Sequence, residues 1–363
     1  MSQSKPFSFK KLIFYFLVIF FIGYFFTKNT LDFSQLKSLE WSELMIKGVL
    51  LAATMLLLRD FGYVMRLRLL TDYQIGFWKS VKIILLWEFG SAITPGMIGG
   101  KAVAIFLLIK NKINVARASS IVLLAILLDE FIFVILFPIF YFLYGRKMFT
   151  LGTNCQDWIQ LKYKLPWIDN IKYLEVMVFV MLGIILIFVI VAFLGIFIYP
   201  IWIKKLIYTI AQAPFLAKWK QNIQHFADEI HHTSLHIRTK NKRFWAQLCF
   251  YTLVSWIGRY LVGVAIVYGF STGSIDWLYV YIKQYALWLM FYLPSTPGSS
   301  GIAEALYMAF YCDSIQIGLS GTAAFVWRFM SYYIYLFIGV LILVFTSERE
   351  IVEEDIDLEK LKR

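Results

Sequence analysis

The chain has 363 residues, 60% of them hydrophobic, 19% aromatic and 16% charged, with a formal net charge of +12. That balance is too apolar for a soluble domain and fits a multi-span membrane protein. The basic residues flank apolar runs and form no separate basic region, so a nucleic-acid partner is not expected.

Along the chain, Lys5, Lys10 and Lys11 precede an apolar run from Leu12 to Phe26. Its exit, Tyr24-Phe25-Phe26-Thr27, lacks the small residues of a signal-peptide cleavage site, so a retained first helix is expected. Six stretches are read as spans of the roughly 30 Å hydrocarbon layer. They are 9–28, 44–65, 116–143, 173–199, 244–270 and 321–345. Two further apolar segments, 77–93 and 277–293, each stop at a Thr-Pro-Gly break and are followed by short apolar pieces, 100–110 and 301–311. The breaks are Thr94-Pro95-Gly96 and Thr296-Pro297-Gly298, 202 residues apart. Pro and Gly interrupt helices, and backbone freed at membrane depth must be satisfied by protein or cavity water. Two re-entrant hairpins are therefore expected, 77–112 and 277–313, with Pro95 and Pro297 at the breaks.

Loop charge orients this scheme. With both termini in the cytoplasm, segments 1–11, 66–82, 110–117, 200–243 and 346–363 carry 22 Lys/Arg, against 7 in 27–43, 144–172, 271–276 and 312–320. The first hairpin would then open inward and the second outward. The expected fold class is an all-α polytopic membrane protein. It has six spans plus two re-entrant half-helix hairpins, arranged as an inverted-topology repeat of halves 9–143 and 173–345.

Charges inside apolar runs mark the candidate site, because a charge at the bilayer centre costs at least about 2.5 kcal/mol and usually faces a cavity or a partner. Arg59 and Arg259 occupy counterpart spans, Lys101 and Glu304 begin the two return segments, and Arg328 lies in the last span. With Gly99, Gly100, Gly298 and Gly301 at the breaks, these are candidate substrate-binding residues for an anionic headgroup. Arginine offers a planar fork for phosphate, and a Gly-rich helix start offers free N–H groups. Asp129, Glu130 and Glu88 are candidate proton-coupling residues. The competing reading is a set of buried ion pairs, such as Arg328 with Glu304, that only lock helices together.

Other features carry less. His225, His231, His232 and His236 fall in segment 200–243, but no compact ligand motif accompanies them, so no metal and no cofactor are expected. Cys155, Cys249 and Cys312 are far apart in sequence and suggest no disulfide framework. Segment 200–243 reads as a basic amphipathic stretch suited to an anionic membrane surface. The tail, 346–363, is rich in acids from Glu348 to Glu359.

The break motifs also carry a family resemblance. Pro294-Ser295-Thr296-Pro297-Gly298-Ser299-Ser300-Gly301-Ile302-Ala303-Glu304, with Ala323-Ala324-Phe325-Val326-Trp327-Arg328 and Gly339, resembles the lysylphosphatidylglycerol synthase transmembrane (flippase-like) family. Pro95, Gly99-Gly100-Lys101, Ser120-Ile121 and Asp129 resemble that family's first motif in weaker form, with Lys101 where an acid is usual and Ser299 for a glycine. The resemblance implies a lipid-translocating domain in a bacterial or archaeal plasma membrane. Only an 18-residue tail, Thr346–Arg363, follows the last span, too short for the aminoacyl-transfer domain of the best-known members, so lysyl transfer is not expected. The leading expectation is a flippase-like transporter of a phospholipid or lipid-linked anionic headgroup. A membrane enzyme acting through Glu304 and Asp129 on a lipid headgroup or polyprenyl phosphate is the second, and a scaffold for a separate synthase the third.

Overall fold

Long apolar runs without turn residues become helices, and no strand forms among the described residues. The computed structural model describes residues 40–94, 98–152, 171–210, 237–291 and 301–345, with Gln212, Gln224, Ala227, Asp228, His231, Ser234, Leu235 and Ser299 between these stretches. The expected first span (9–28), Pro95, Pro297, Gly298, His225, His232, His236 and the acidic tail lie outside them.

Helix α1, Glu43–Leu70, starts where the Ser42 hydroxyl accepts from Met45 N at 3.2 Å. It runs five residues past the end at 65 expected from apolarity, so Arg66 and Arg68 are helical rather than loop residues. Helix α2, Phe77–Ile93, and α3, Ile98–Lys110, fold against each other. Glycine permits this close approach: a Cβ at Gly100 would overlap Ser91 Oγ and lie 2.6 Å from Trp87 O. Helix α4, Val115–Tyr144, is capped by Asn114, which accepts from Arg117 N at 2.9 Å. Helix α5, Ile171–Phe193, passes through a π-helical turn, Leu194–Ile198, into α6, Pro200–Ile210.

Helix α7, Lys242–Gly269, has the same 28-residue length as α1 and the same kind of cap, Asn241 accepting from Phe244 N at 2.8 Å. Next come α8, Trp277–Met290, and α9, Ile302–Tyr311. Last is α10, Ser320–Arg328, which continues through a π-helical turn, Phe329–Tyr333, as helix to Phe345.

Among the described residues, four helical stretches are long and apolar enough to cross a membrane: Val115–Phe149, Leu174–Ile198, Lys242–Gly269 and Ser320–Phe345. The expected span 44–65 does form a helix of sufficient length, but α1 also carries Arg59, Asp60, Arg66 and Arg68. At 1.5 Å per residue, α2 and α3 measure about 26 and 20 Å, and α8 and α9 about 21 and 15 Å.

The core is the antiparallel seam of α1 and α7. A Cβ at Gly48 would overlap Gly269 Cα, one at Gly62 would overlap Ser255 Oγ, and one at Gly258 would lie 2.9 Å from Arg59 N. Small residues let the backbones touch, which is how helices associate when lipid offers no hydrophobic contrast. At one end of the bundle, Asp72 accepts from Arg117 Nη2 at 2.9 Å and from Lys240 Nζ at 2.6 Å. This joins the open end of the α2–α3 hairpin to the starts of α4 and α7. At the other end, Gly152 N donates to Ala309 O at 2.8 Å, Tyr279 OH to Lys147 O at 3.1 Å, and Gln316 N to Phe270 O at 2.9 Å. The α8–α9 hairpin opens there. The two hairpins thus open at the opposite ends of α4.

Cys312, just beyond α9, is disulfide-bonded, contrary to the expectation of no disulfide. Distance along the chain concealed the proximity: the turn after α4 folds back onto α9 through Gly152. Cys249 is free and exposed, and Cys155 lies outside the described residues.

Candidate functional site

A cavity of about 210 Å³ lies where α1, α2, α3, α4, α7, α8 and α10 converge. Helical spacing builds each wall. Arg59, Tyr63 and Arg66 are one face of α1, and Trp87, Glu88 and Ser91 come from α2. Trp256, Arg259 and Tyr260 come from α7, and Gln284 and Trp288 from α8. The π-helical turn in α10 places Arg328, Ser331, Tyr332 and Tyr335 on the wall together.

Five basic residues line the cavity, Arg59, Arg66, Lys101, Arg259 and Arg328, against three acids, Glu88, Asp129 and Glu130. Glu88 lies between two guanidinium groups, 2.5 Å from Arg59 Nη2 and 3.5 Å from Arg259 Nη2. Asp129 receives both Nη atoms of Arg66, at 2.5 and 3.1 Å, and Trp256 Nε1 at 2.7 Å. Tyr335 OH bridges α10 to α1: it accepts from Arg59 Nη1 at 3.0 Å and donates to Asp60 at 2.8 Å. Arg259 donates to Tyr63 OH at 3.0 and 3.2 Å, with its guanidinium 4.8 Å from the Trp288 ring centroid. Cations over aromatic faces gain about 0.5–2 kcal/mol, which keeps these arginines in place inside an apolar bundle.

Arg328 and Glu304 form a separate, buried pair at 3.1 Å. Glu304 also accepts from Gly301 N at 2.7 Å, so one carboxylate caps α9 and holds α10. Gly301 adopts φ 86°, a left-handed conformation that favours glycine.

Lys101 differs from the other cations. It is half-buried in the first turn of α3, lines the cavity, and forms neither a hydrogen bond nor an ion pair with any described residue. Glu130, by contrast, is engaged.

Seven of the residues expected at a site therefore share one cavity: Arg59, Glu88, Lys101, Asp129, Glu130, Arg259 and Arg328. Glu304 stands behind its wall, touching Arg328. Gly99, Gly100 and Gly301 do not line it. Gly99 N donates to Thr94 Oγ1 at 3.0 Å, so that amide is spent on closing the hairpin, and Gly100 packs closely on Ser91. Sequence reasoning missed Arg66, counted as a loop charge because the apolar run stops at 65. It also missed Tyr63, Trp256, Gln284, Trp288 and Tyr335, since in a chain that is 19% aromatic nothing singles them out. Among the described residues no group of His, Cys, Asp or Glu is placed to hold a metal.

No solved structure matches the chain. The chain is 23% identical over 343 residues to a "UPF0104 membrane protein" of Archaeoglobus fulgidus, covering 87% of this chain and 90% of the relative. The family model described as "Lysylphosphatidylglycerol synthase TM region" matches residues 11–339. A match of that extent, over a helical bundle with long apolar spans, places the chain in the lysylphosphatidylglycerol synthase TM region family.

Proposed function

We propose that this chain is a flippase-like transporter that moves a lipid with a phosphate-bearing headgroup across the plasma membrane. The observation that carries the reading is the cavity: five cations surround a space inside apolar helices, and one of them, Lys101, has no partner among the described residues. Charge held at that depth marks a substrate path. At about 210 Å³ the space suits a headgroup and falls short of the 300–1,000 Å³ of a typical ligand pocket, leaving acyl chains in the bilayer.

In this reading α2–α3 and α8–α9 are re-entrant hairpins, and the halves containing them form an inverted-topology repeat. The equal lengths and caps of α1 and α7, and the opposite openings of the hairpins, support it. The disulfide at Cys312 favours an oxidising compartment for the open end of the second hairpin, with the Asp72 cluster in the cytoplasm. After reduction, Cys312 should react with a membrane-impermeant maleimide added outside; reaction only from the inside would reverse this orientation.

The α1–α7 seam is a backbone contact along both helices, so the halves cannot rock freely across it. Alternating access is therefore assigned to movement of the hairpins around a fixed central pair. Glu88, Asp129 or Glu130, all on the cavity wall, would couple that movement to protons. An enzymatic reading needs Glu304 and Asp129 to act on one substrate, whereas Asp129 lines the cavity and Glu304 stands behind its wall, held by Arg328, which favours transport. The test is a headgroup-accessibility assay in vesicles containing purified protein and labelled anionic and zwitterionic lipids. Movement above protein-free vesicles is expected; none across the panel would sink the proposal.

A further inference from the structure

Every carboxylate on the cavity wall is committed. Glu88 faces Arg59 and Arg259, Asp129 takes Arg66 and Trp256, and Glu130 is engaged. Beside the Ser331 hydroxyl, which can donate or accept, the unspent groups on the wall are donors. Lys101 supplies an ammonium from α3. On α8, one turn apart, Gln284 Nε2 and Trp288 Nε1 are buried without a hydrogen-bond partner among the described residues, and Gln284 is only 5% exposed. Buried donors left unmade cost about 1–3 kcal/mol each, so their presence on a cavity wall points to a ligand that supplies acceptors. A zwitterionic headgroup would bring another ammonium into this surplus of donors, with no uncommitted carboxylate to receive it.

We propose that the cavity selects a phosphate headgroup that carries no amine, and that Lys101 is the charge-selecting residue. Phosphate oxygens accept hydrogen bonds from the Lys101 ammonium, with Gln284 and Trp288 as neutral donors across the cavity. Selection operates by exclusion as well as attraction: an aminoalkyl or aminoacyl group meets Lys101 as a like charge. This inference rests on the headgroup reading above, but it concerns which headgroup binds and does not require that the lipid then crosses.

The experiment uses the full chain in detergent, with dihexanoyl phosphatidylglycerol and dihexanoyl phosphatidylethanolamine as probes and titration calorimetry as readout. Phosphatidylglycerol should bind about tenfold more tightly or better, the scale of one hydrogen-bonded charge. Lys101→Gln should erase most of that preference, and Lys101→Glu should turn it toward phosphatidylethanolamine. Glycerol 3-phosphate forms a third arm: binding as tight as the lipid's would keep the phosphate assignment and move its source from lipid to solute. Equal affinity of the two lipids for the unaltered chain, or an unchanged preference in a Lys101→Gln protein that keeps its melting temperature, would overturn the inference. Selective binding without movement in vesicles would leave the inference standing and remove the transport reading.

Discussion

The two hairpins solve the same geometric problem with different chemistry. The second is welded. Ala303 to Tyr311 of α9 are all buried, Tyr307 OH donates to Gly263 O at 3.0 Å and Tyr311 OH to Val280 O at 3.1 Å. Lys283 is buried too and donates to Phe310 O at 2.5 Å, and the charge near the break, Glu304, is consumed by Arg328 and Gly301. The first hairpin is closed by glycine, Gly90 against Gly100, and by the Thr94 hydroxyl, and its charge near the break, Lys101, faces the cavity without a partner among the described residues. One hairpin therefore spends the charge near its break on architecture, while the other turns its own toward the cavity.

The largest blow to that contrast should come from Glu304→Ala. It takes the Glu304 carboxylate away from Arg328, which is 6% exposed, and removal of one partner of a buried pair costs about 3–5 kcal/mol. The thermal midpoint in detergent should fall sharply, and Glu304→Gln, which still accepts from Arg328 and Gly301, should recover part of the loss. A midpoint unchanged in Glu304→Ala would show that the pair is not a lock. Gly100→Ala comes next. Its methyl would overlap Ser91 Oγ, and forced repacking costs about 1–3 kcal/mol, relieved in part by Ser91→Gly. Full stability in Gly100→Ala would mean that the hairpin arms are looser than their contacts indicate. Lys101→Gln should be smallest for stability, within about 0.5 kcal/mol, since it breaks no hydrogen bond or ion pair with a described residue. A large drop there would erase the distinction between the hairpins.

Much of this contrast was legible in the sequence, for definite reasons. Pro and Gly announce breaks whatever surrounds them, and lone charges in apolar runs announce either partners or a cavity. The helix ends at Ile93 and Met290, and seven residues that line one cavity, followed from those two rules. The pairing of Arg328 with Glu304 was one of two readings, and the structure adopts it. What the rules lacked was any account of helix ends and of which distant residues meet. Arg66 lay one residue beyond the apolar run and was counted as loop charge, so Asp129 was left without its partner. Gly99 and Gly100 looked like anion-binding amides; the Gly99 amide is taken by Thr94, and both glycines sit where the arms of the hairpin come closest. The Cys312 disulfide is a pairing that no spacing rule encodes.

The ordering of contacts along the chain bears on how the protein is made. Helix α1 is absent from the four stretches apolar enough to enter a membrane by composition. Its guanidinium groups find their partners only as later helices appear: Glu88 of α2 for Arg59, then Asp129 of α4 for Arg66, and Tyr335 of α10 last. Its glycine seam must wait for α7, about 200 residues downstream in the sequence. Most of what surrounds α1 in the finished fold is therefore synthesised after it. Truncations before residue 242 should leave it exposed to proteolysis and quality control, whatever their effect on the more apolar α4.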